Sequence, residues 1–366
     1  MTIVLILFIV LLYLCTKNKY SKRSIRNYIT LVTIILIVIS GLRHEAVGND
    51  TYAYLIHYDE ITETSWHEVI ANFWDMYLSP SVDGKDPGER VLIKLFTCIL
   101  PSFRWFLFVV AILLLIPLGI LVFRNSENLE TPCFFYVFYI TLFYHYLPNS
   151  GIRQSLALSC LLVGYLLLQK DKVKWFLLLL FISTLIHKSC LIAIAMLVIY
   201  YIKHTRVMYY TGIVLFCIML FVYRYVGAFL SMQSDAYAGY GMGTYYGVGA
   251  TTPYMVILMI LGLYLLGMLG IPKDKNAYIN RLLYGGAVLT LIFVVLVRLD
   301  PNLIRVIAYF GPWMGLMVPI VLKLWRPKEF KIYFILLLVI FITKAVISPD
   351  SYHFFWQDME LDGRYY

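Results

Sequence analysis

The chain has 366 residues, 61% of them hydrophobic and only 14% charged, with a mean hydropathy of +0.79. A soluble domain is about 45–50% apolar and about 25% charged, so a soluble fold is excluded and the sequence reads as a polytopic membrane protein. A net charge of +9 would raise nucleic acid as a partner in a soluble protein; here the basic residues crowd into short loops between apolar runs, so no nucleic-acid partner is expected.

Apolar runs of about 20 residues recur, each long enough to cross a hydrocarbon core about 30 Å thick. Backbone groups there must pair internally, which leaves helices or a closed barrel. The runs lack period-two alternation, so an all-α fold of about twelve transmembrane helices is expected. The six cysteines lie in or beside apolar segments and never form a C-x-x-C pair. Neither a zinc site nor a disulfide framework is expected from that pattern, and no cofactor is.

The first apolar segment, Thr2 to Cys15, is followed by Lys17, Lys19, Lys22, Arg23 and Arg26. A signal peptide carries its positive charges before the apolar run, so this segment reads as a short or tilted span with its N-terminus outside. A second span covers Tyr28 to Leu42. The stretch 43–90 then holds ten acidic residues against Arg43, Lys85 and Arg90, which places it outside. Within this outer loop, 43–100, Trp66 to Leu78 suits an interfacial helix, and Val91 to Leu100 is too short to span. Further spans are expected at 103–123, 132–147, 152–168, 175–187, 189–202, 207–226, 253–271, 282–298, 303–322 and 332–347. Six short loops on the opposite side carry 18 of the 30 lysines and arginines, the bias expected of cytoplasmic loops. One integral membrane domain, 1–366, accounts for the whole chain.

The helical hairpin starting at Leu147-Pro-Asn-Ser-Gly-Ile-Arg153-Gln154 brings two strong polar groups to one end. Arg153 sits at the first turn of one apolar helix, and the next ends in His187-Lys188-Ser189. A run of about 16 helical residues rises about 24 Å, so Arg153 and His187 return to one depth. Arg43, Arg153, Lys188, Arg224, Arg298 and Arg305 all fall at outer helix ends, against the positive-inside tendency. Charges near spans are costly and mark substrate paths, and guanidinium pairs bidentately with phosphate. A single outer arginine reads equally as a snorkelling anchor, and Arg298 reads equally as a partner of Asp300. For Arg153 the anchor reading is weaker, because Gln154 follows it and little acid is expected nearby. His187 is open between a structural turn residue, a general base and a charged donor to phosphate. The Gly- and Tyr-rich 239–249, within an outer loop at 227–252, has no phosphate-loop pattern; it reads as a lid or a plain interfacial loop.

At these residues the chain resembles the EpsG family, the Wzy-like polymerases of bacterial exopolysaccharide and O-antigen repeat units. Arg43 followed by Val47-Gly-Asn-Asp50 and Tyr54 is similar to an early element of that family. Pro87-Gly88 before Val91 resembles the next, whose glutamate usually precedes the proline, whereas Glu89 follows it here. Arg153-Gln154, His187-Lys-Ser189, and Arg305 with Tyr309-Phe310 resemble the later elements. The resemblance implies metal-independent glycosyl transfer at the outer face of the cytoplasmic membrane. A glycan on undecaprenyl pyrophosphate would move to the next lipid-linked repeat unit, in company with a flippase and a chain-length regulator. It implies that Arg43, Arg153, Gln154, Lys188, Arg298, Arg305 and Tyr309 hold the pyrophosphate. Asp50, Glu45 and His187 are the candidate bases. An O-antigen ligase, a membrane acyltransferase and a transporter are the competing readings. The topology is directly checkable. Reporter fusions in 124–131 should read cytoplasmic and fusions in 43–100 exterior; the reverse pattern contradicts the charge argument.

Overall fold

The computed structural model describes residues 1–17, 21–48, 50–78, 86–100, 102–231, 258, 262, 280–299, 303–347 and 352–359. The glycine-rich 239–249, the expected span 253–271 apart from Leu258 and Gly262, and Asp300 lie outside them. The described residues are all-helical, with one isolated bridge between Arg43 and Phe354 as the extended pairing. Among the described residues, five helices are long and apolar enough to cross a membrane: Lys22–Gly41, Phe103–Arg124, Thr205–Phe229, Arg281–Arg298 and Phe330–Ile347. Five shorter apolar helices accompany them. The chain divides into two compact units, one of residues 1–132, 140–191 and 345–366, the other of 133–139 and 192–344.

In the first unit α1 (Thr2–Thr16) packs on α2 (Lys22–Gly41), where the Tyr28 hydroxyl donates to the Ile9 carbonyl at 3.1 Å. Ser21 caps α2 by accepting from the Ser24 N–H at 3.0 Å, satisfying one of the orphan donors of the first turn. One face of α2 buries Ile25, Ile29, Val32 and Leu36, while Leu31, Ile34 and Val38 point outward. A helix apolar on both faces suits contact with protein on one side and lipid on the other. Three helices, α3 (Thr51–Glu63), α4 (Trp66–Leu78) and α5 (Pro87–Thr97), then precede α6 (Phe103–Arg124). α4 keeps the bounds the sequence suggested for an interfacial helix, with Trp66, Ile70 and Trp74 exposed.

The acidic loop is pinned at several points. Lys94 Nζ donates to the carbonyls of Ile61 and Thr62 at 3.1 and 3.0 Å, closing the C-terminal end of α3. Thr51 Oγ1 donates to the Asn149 carbonyl at 2.7 Å. Gly48 adopts φ +97°, and a Cβ there would fall 1.9 Å from the Asn149 carbonyl oxygen, so conformation and space both require glycine. The C-terminal segment returns to the same region. His44 N–H donates to the His353 carbonyl at 2.9 Å, Phe355 N–H to Leu42 at 3.0 Å, and Arg104 lies 3.7 Å over the Phe355 ring.

After α7 (Glu130–Tyr139) the chain unwinds into a wider π-helical turn, Ile140–Tyr144, so the α-helical geometry of the expected span 132–147 is interrupted. α8 (Ile152–Leu168) and α9 (Val173–Ile186) form the hairpin expected from their matched lengths. Tyr165 stacks on Phe176 with centroids 6.0 Å apart. Asp171 takes φ 59° at the turn, a conformation its short polar side chain tolerates.

The second unit follows a 3₁₀ turn, Lys188–Ile194, with α10 (Ala195–Tyr201) and α11 (Thr205–Ser231). Its centre is α12 (Arg281–Phe293), which continues as a 3₁₀ segment to Arg298. The expected span 303–322 is broken. Arg305 lies on a four-residue helix, α13 (Ile304–Ile307), and the chain restarts at α14 (Gly311–Trp325), followed by α15 (Phe330–Ile347). Pro312 explains the restart, because proline fits the first turn of a helix and not its interior. Small residues let the helices of this unit approach closely. A Cβ on Gly286 would fall 2.4 Å from Cγ of the fully buried Trp313. Gly286→Val should therefore destabilise the protein by about 1–3 kcal/mol, the usual cost of overpacking. Gly164→Ala, whose added Cβ would meet Phe176 at 3.3 Å, should cost less. Thermal unfolding of both variants in detergent checks this; equal melting temperatures contradict it.

Candidate functional site

Three short-range decisions in the sequence build the site. Pro87 occupies the first turn of α5, where its missing N–H costs nothing. Gly88 follows, and a Cβ on it would fall 2.7 Å from the Leu185 carbonyl oxygen, so the start of α5 can lie directly against the end of α9. Asp86, just before α5, makes no cap hydrogen bond to its own helix and its carboxylate is free to cross to α9.

There Asp86 Oδ2 meets His187 Nδ1 at 2.9 Å, and Oδ1 accepts the Lys188 backbone N–H at 2.9 Å. Arg153 Nη1, from the first turn of α8, lies 3.5 Å from Asp86 Oδ2 and 3.5 Å from Glu89 Oε2. Arg153 Nε donates to the Tyr54 hydroxyl oxygen at 3.1 Å, and His57 Nε2 stands 3.9 Å from Glu89 Oε2. Tyr54 and His57 are three residues apart on α3, so they share one face. Four elements thus meet: α3, the start of α5, the start of α8 and the end of α9.

The cluster is layered. The side chains of Asp86 and Glu89 are 4% and 6% exposed, whereas Arg153 and His187 are each 27% exposed. An arriving ligand therefore meets a guanidinium and an imidazole first, with the carboxylates beneath them. Burial alone would raise the Asp86 carboxyl, but the hydrogen bond and charge of His187, the Lys188 N–H and Arg153 hold it below the usual carboxylate range. Glu89 goes the other way. Burial first, and then the charge of Asp86, outweigh Arg153 and Arg90 and push it up to about 7. Burial, then the positive charge of Arg90, lowers His57. Two neighbouring carboxyls with opposite shifts can do different jobs. Glu89 Oε1 is buried and has no hydrogen-bond partner among the described residues.

The structure brings Arg153 and His187 together on Asp86, as their matched helix lengths suggest. It reverses one expectation: Arg153 has two acidic neighbours, supplied by a loop more than 60 residues earlier in the chain. Lys188 contributes its backbone N–H, while its side chain is exposed. Gln154 is buried next to Arg153 in the chain. Asp50 lies at the start of α3, one turn before Tyr54, and Glu45 lies in the turn between α2 and α3; both are half-buried.

Arg43 is fully buried and turns its Nη1 to the carbonyl and hydroxyl oxygens of Ser40, beneath the 352–355 segment. Arg298, Arg305 and Tyr309 belong to the second unit. There Arg298 lies 4.8 Å over the Tyr223 ring and Tyr309 is buried. The partners that sequence reasoning missed are Asp86 and His57, with Glu89 left without a role. A usable signal stood before Pro87-Gly88, where an acidic residue precedes a helix start.

The family model for the EpsG family matches residues 26–358, a range that includes every residue of this cluster. No curated protein and no solved structure matches the chain. The protein belongs to the EpsG family, and is a multi-pass membrane protein of polysaccharide synthesis.

Proposed function

We propose that the protein polymerises oligosaccharide repeat units carried on undecaprenyl pyrophosphate, at the outer face of the bacterial cytoplasmic membrane. The growing glycan passes to a hydroxyl of the next lipid-linked unit. The observation that carries this reading is the layering of the cluster, with Arg153 and His187 accessible above buried carboxylates. An accessible guanidinium beside an imidazole suits the oxygens of a pyrophosphate.

The chemistry makes specific demands. The acceptor oxygen bonds to the anomeric carbon, and the bond from that carbon to the pyrophosphate oxygen breaks. The electron pair leaves with the pyrophosphate, so no acid is needed to release it, but its charge rises in the transition state. Arg153 is held by Tyr54 and faces two carboxylates, so it is oriented before substrate arrives. Preorganised charge of this kind accelerates a reaction most. His187 is fixed through Nδ1 by Asp86, which leaves Nε2 for a phosphate oxygen. The remaining demand is a base for the acceptor hydroxyl.

Arg153→Ala should abolish polymer and leave single repeat units on lipid. Arg153→Lys, which keeps the charge over Asp86 and Glu89 but not the planar fork, should fold and lose about 10²–10³-fold in polymerisation rate, the usual loss for one transition-state donor. Gel analysis of lipid-linked products from producing cells reads both. Normal long-chain polymer from either variant contradicts the reading. Glycan appearing on lipid A core would favour a ligase, and translocation without bond formation a transporter.

A further inference from the structure

We propose that Glu89 is the base that takes the proton of the attacking sugar hydroxyl. The proposal rests on the reading of the site given above.

The first argument is an unmet hydrogen bond. Glu89 is 4% exposed, its Oε2 faces Arg153 and His57, and its Oε1 has no donor among the described residues. A buried polar atom left unpaired destabilises the fold unless a ligand supplies the missing bond. What Oε1 lacks is a donor, and a sugar hydroxyl is one.

The second argument is reach. The acceptor oxygen attacks the carbon bonded to the pyrophosphate oxygen, so its base must lie within a few ångströms of the group that holds that oxygen. Glu89 Oε2 is 3.5 Å from Arg153 Nη1.

The third argument is elimination within the cluster. Asp86 has both oxygens engaged, by His187 and by the Lys188 N–H, and is held below the usual range, which makes it a weak base. His187 is tied to Asp86 through Nδ1 and stands on the accessible side with Arg153. Glu89, near 7, is matched to proton transfer at neutral pH.

The groups facing Glu89 set its proton affinity. From α3 these are Tyr54 and His57, and from α8 Arg153. Asp86 and Arg90 flank it on its own segment, and His187 at the end of α9 acts through Asp86. α4, which also packs on α5, carries His67, Glu68 and Asp75, all exposed. Of these, Arg153 is the principal influence that lowers the proton affinity of Glu89. Arg153 thereby keeps part of the Glu89 carboxyl ionised at neutral pH, the state a base needs. In the step itself the carbon–oxygen bond to the acceptor forms, the carbon–oxygen bond to pyrophosphate breaks, and the proton moves to Glu89 Oε1. Release of products returns it to water.

The test uses full-length protein in nanodiscs with the lipid-linked repeat unit as donor and acceptor, and undecaprenyl pyrophosphate as the binding probe. Glu89→Gln should bind the probe at least as tightly as wild type, yet polymerise about 10²–10⁴-fold more slowly, the range for loss of a general base. Glu89→Asp should recover part of the rate, and serves if the Gln variant does not fold. The acid limb of kcat/KM near pH 7 should shift in Glu89→Asp and persist in His187→Gln. Glu89→Gln polymerising within about threefold of wild type, or a limb that vanishes in His187→Gln alone, overturns the proposal. Those results arise with a wild type that polymerises; a wild type that forms no glycosidic bond instead sinks the reading of the site as a whole.

Discussion

The contact on which the site depends is the crossing of Asp86 from the start of α5 to the end of α9. That one carboxylate receives the His187 ring and the Lys188 N–H, and it stands beside Arg153 at the start of α8. Without it, α5 would meet the hairpin through the Glu89–Arg153 contact and the close approach of Gly88 to Leu185. Buried ion pairs are costly to assemble and costlier to break, because the remaining partner is left charged and unpaired. Such a cluster is poor evidence for stability. Its persistence in a membrane protein, where dry apolar packing was available, is better evidence of use.

The surroundings explain how so polar a cluster is tolerated. Its carboxylates belong to short helices outside the long apolar segments, while α8 and α9 offer only their ends. The middle of α9 exposes Trp175, Leu177, Leu178 and Phe181, residues suited to lipid. The charge is therefore concentrated where α9 ends and α5 and α8 begin, against one face of α3. Neighbouring acids with opposed proton affinities, Asp86 low and Glu89 high, follow directly from which of them has donors on both oxygens.

Much of this was legible beforehand, and the failures have physical causes. The hairpin was readable because two apolar runs of similar length enclose Gln169-Lys-Asp-Lys172. The helix Trp66–Leu78 was readable from its aromatic spacing. The start of α5 was missed because an apolar criterion begins at Val91, whereas proline geometry begins the helix at Pro87. The interruption after α13 and the π-helical turn after α7 are tertiary adjustments that hydropathy does not record. Asp86 and Glu89 were hidden among ten acidic residues of one loop. Only the folded chain selects the two that reach Arg153, since their partner lies more than 60 residues away. Arg43 stands just past the end of α2 and turns inward to Ser40, because the returning 352–355 segment covers it.

The most direct measurement is an experimental structure of the protein in lipid with an undecaprenyl pyrophosphate-linked repeat unit bound. The account predicts phosphate oxygens within hydrogen-bonding distance of the Arg153 guanidinium and of His187 Nε2, and an acceptor hydroxyl against Glu89 Oε1. A headgroup seated elsewhere, with the contacts between Arg153, Asp86 and Glu89 unchanged, would contradict it.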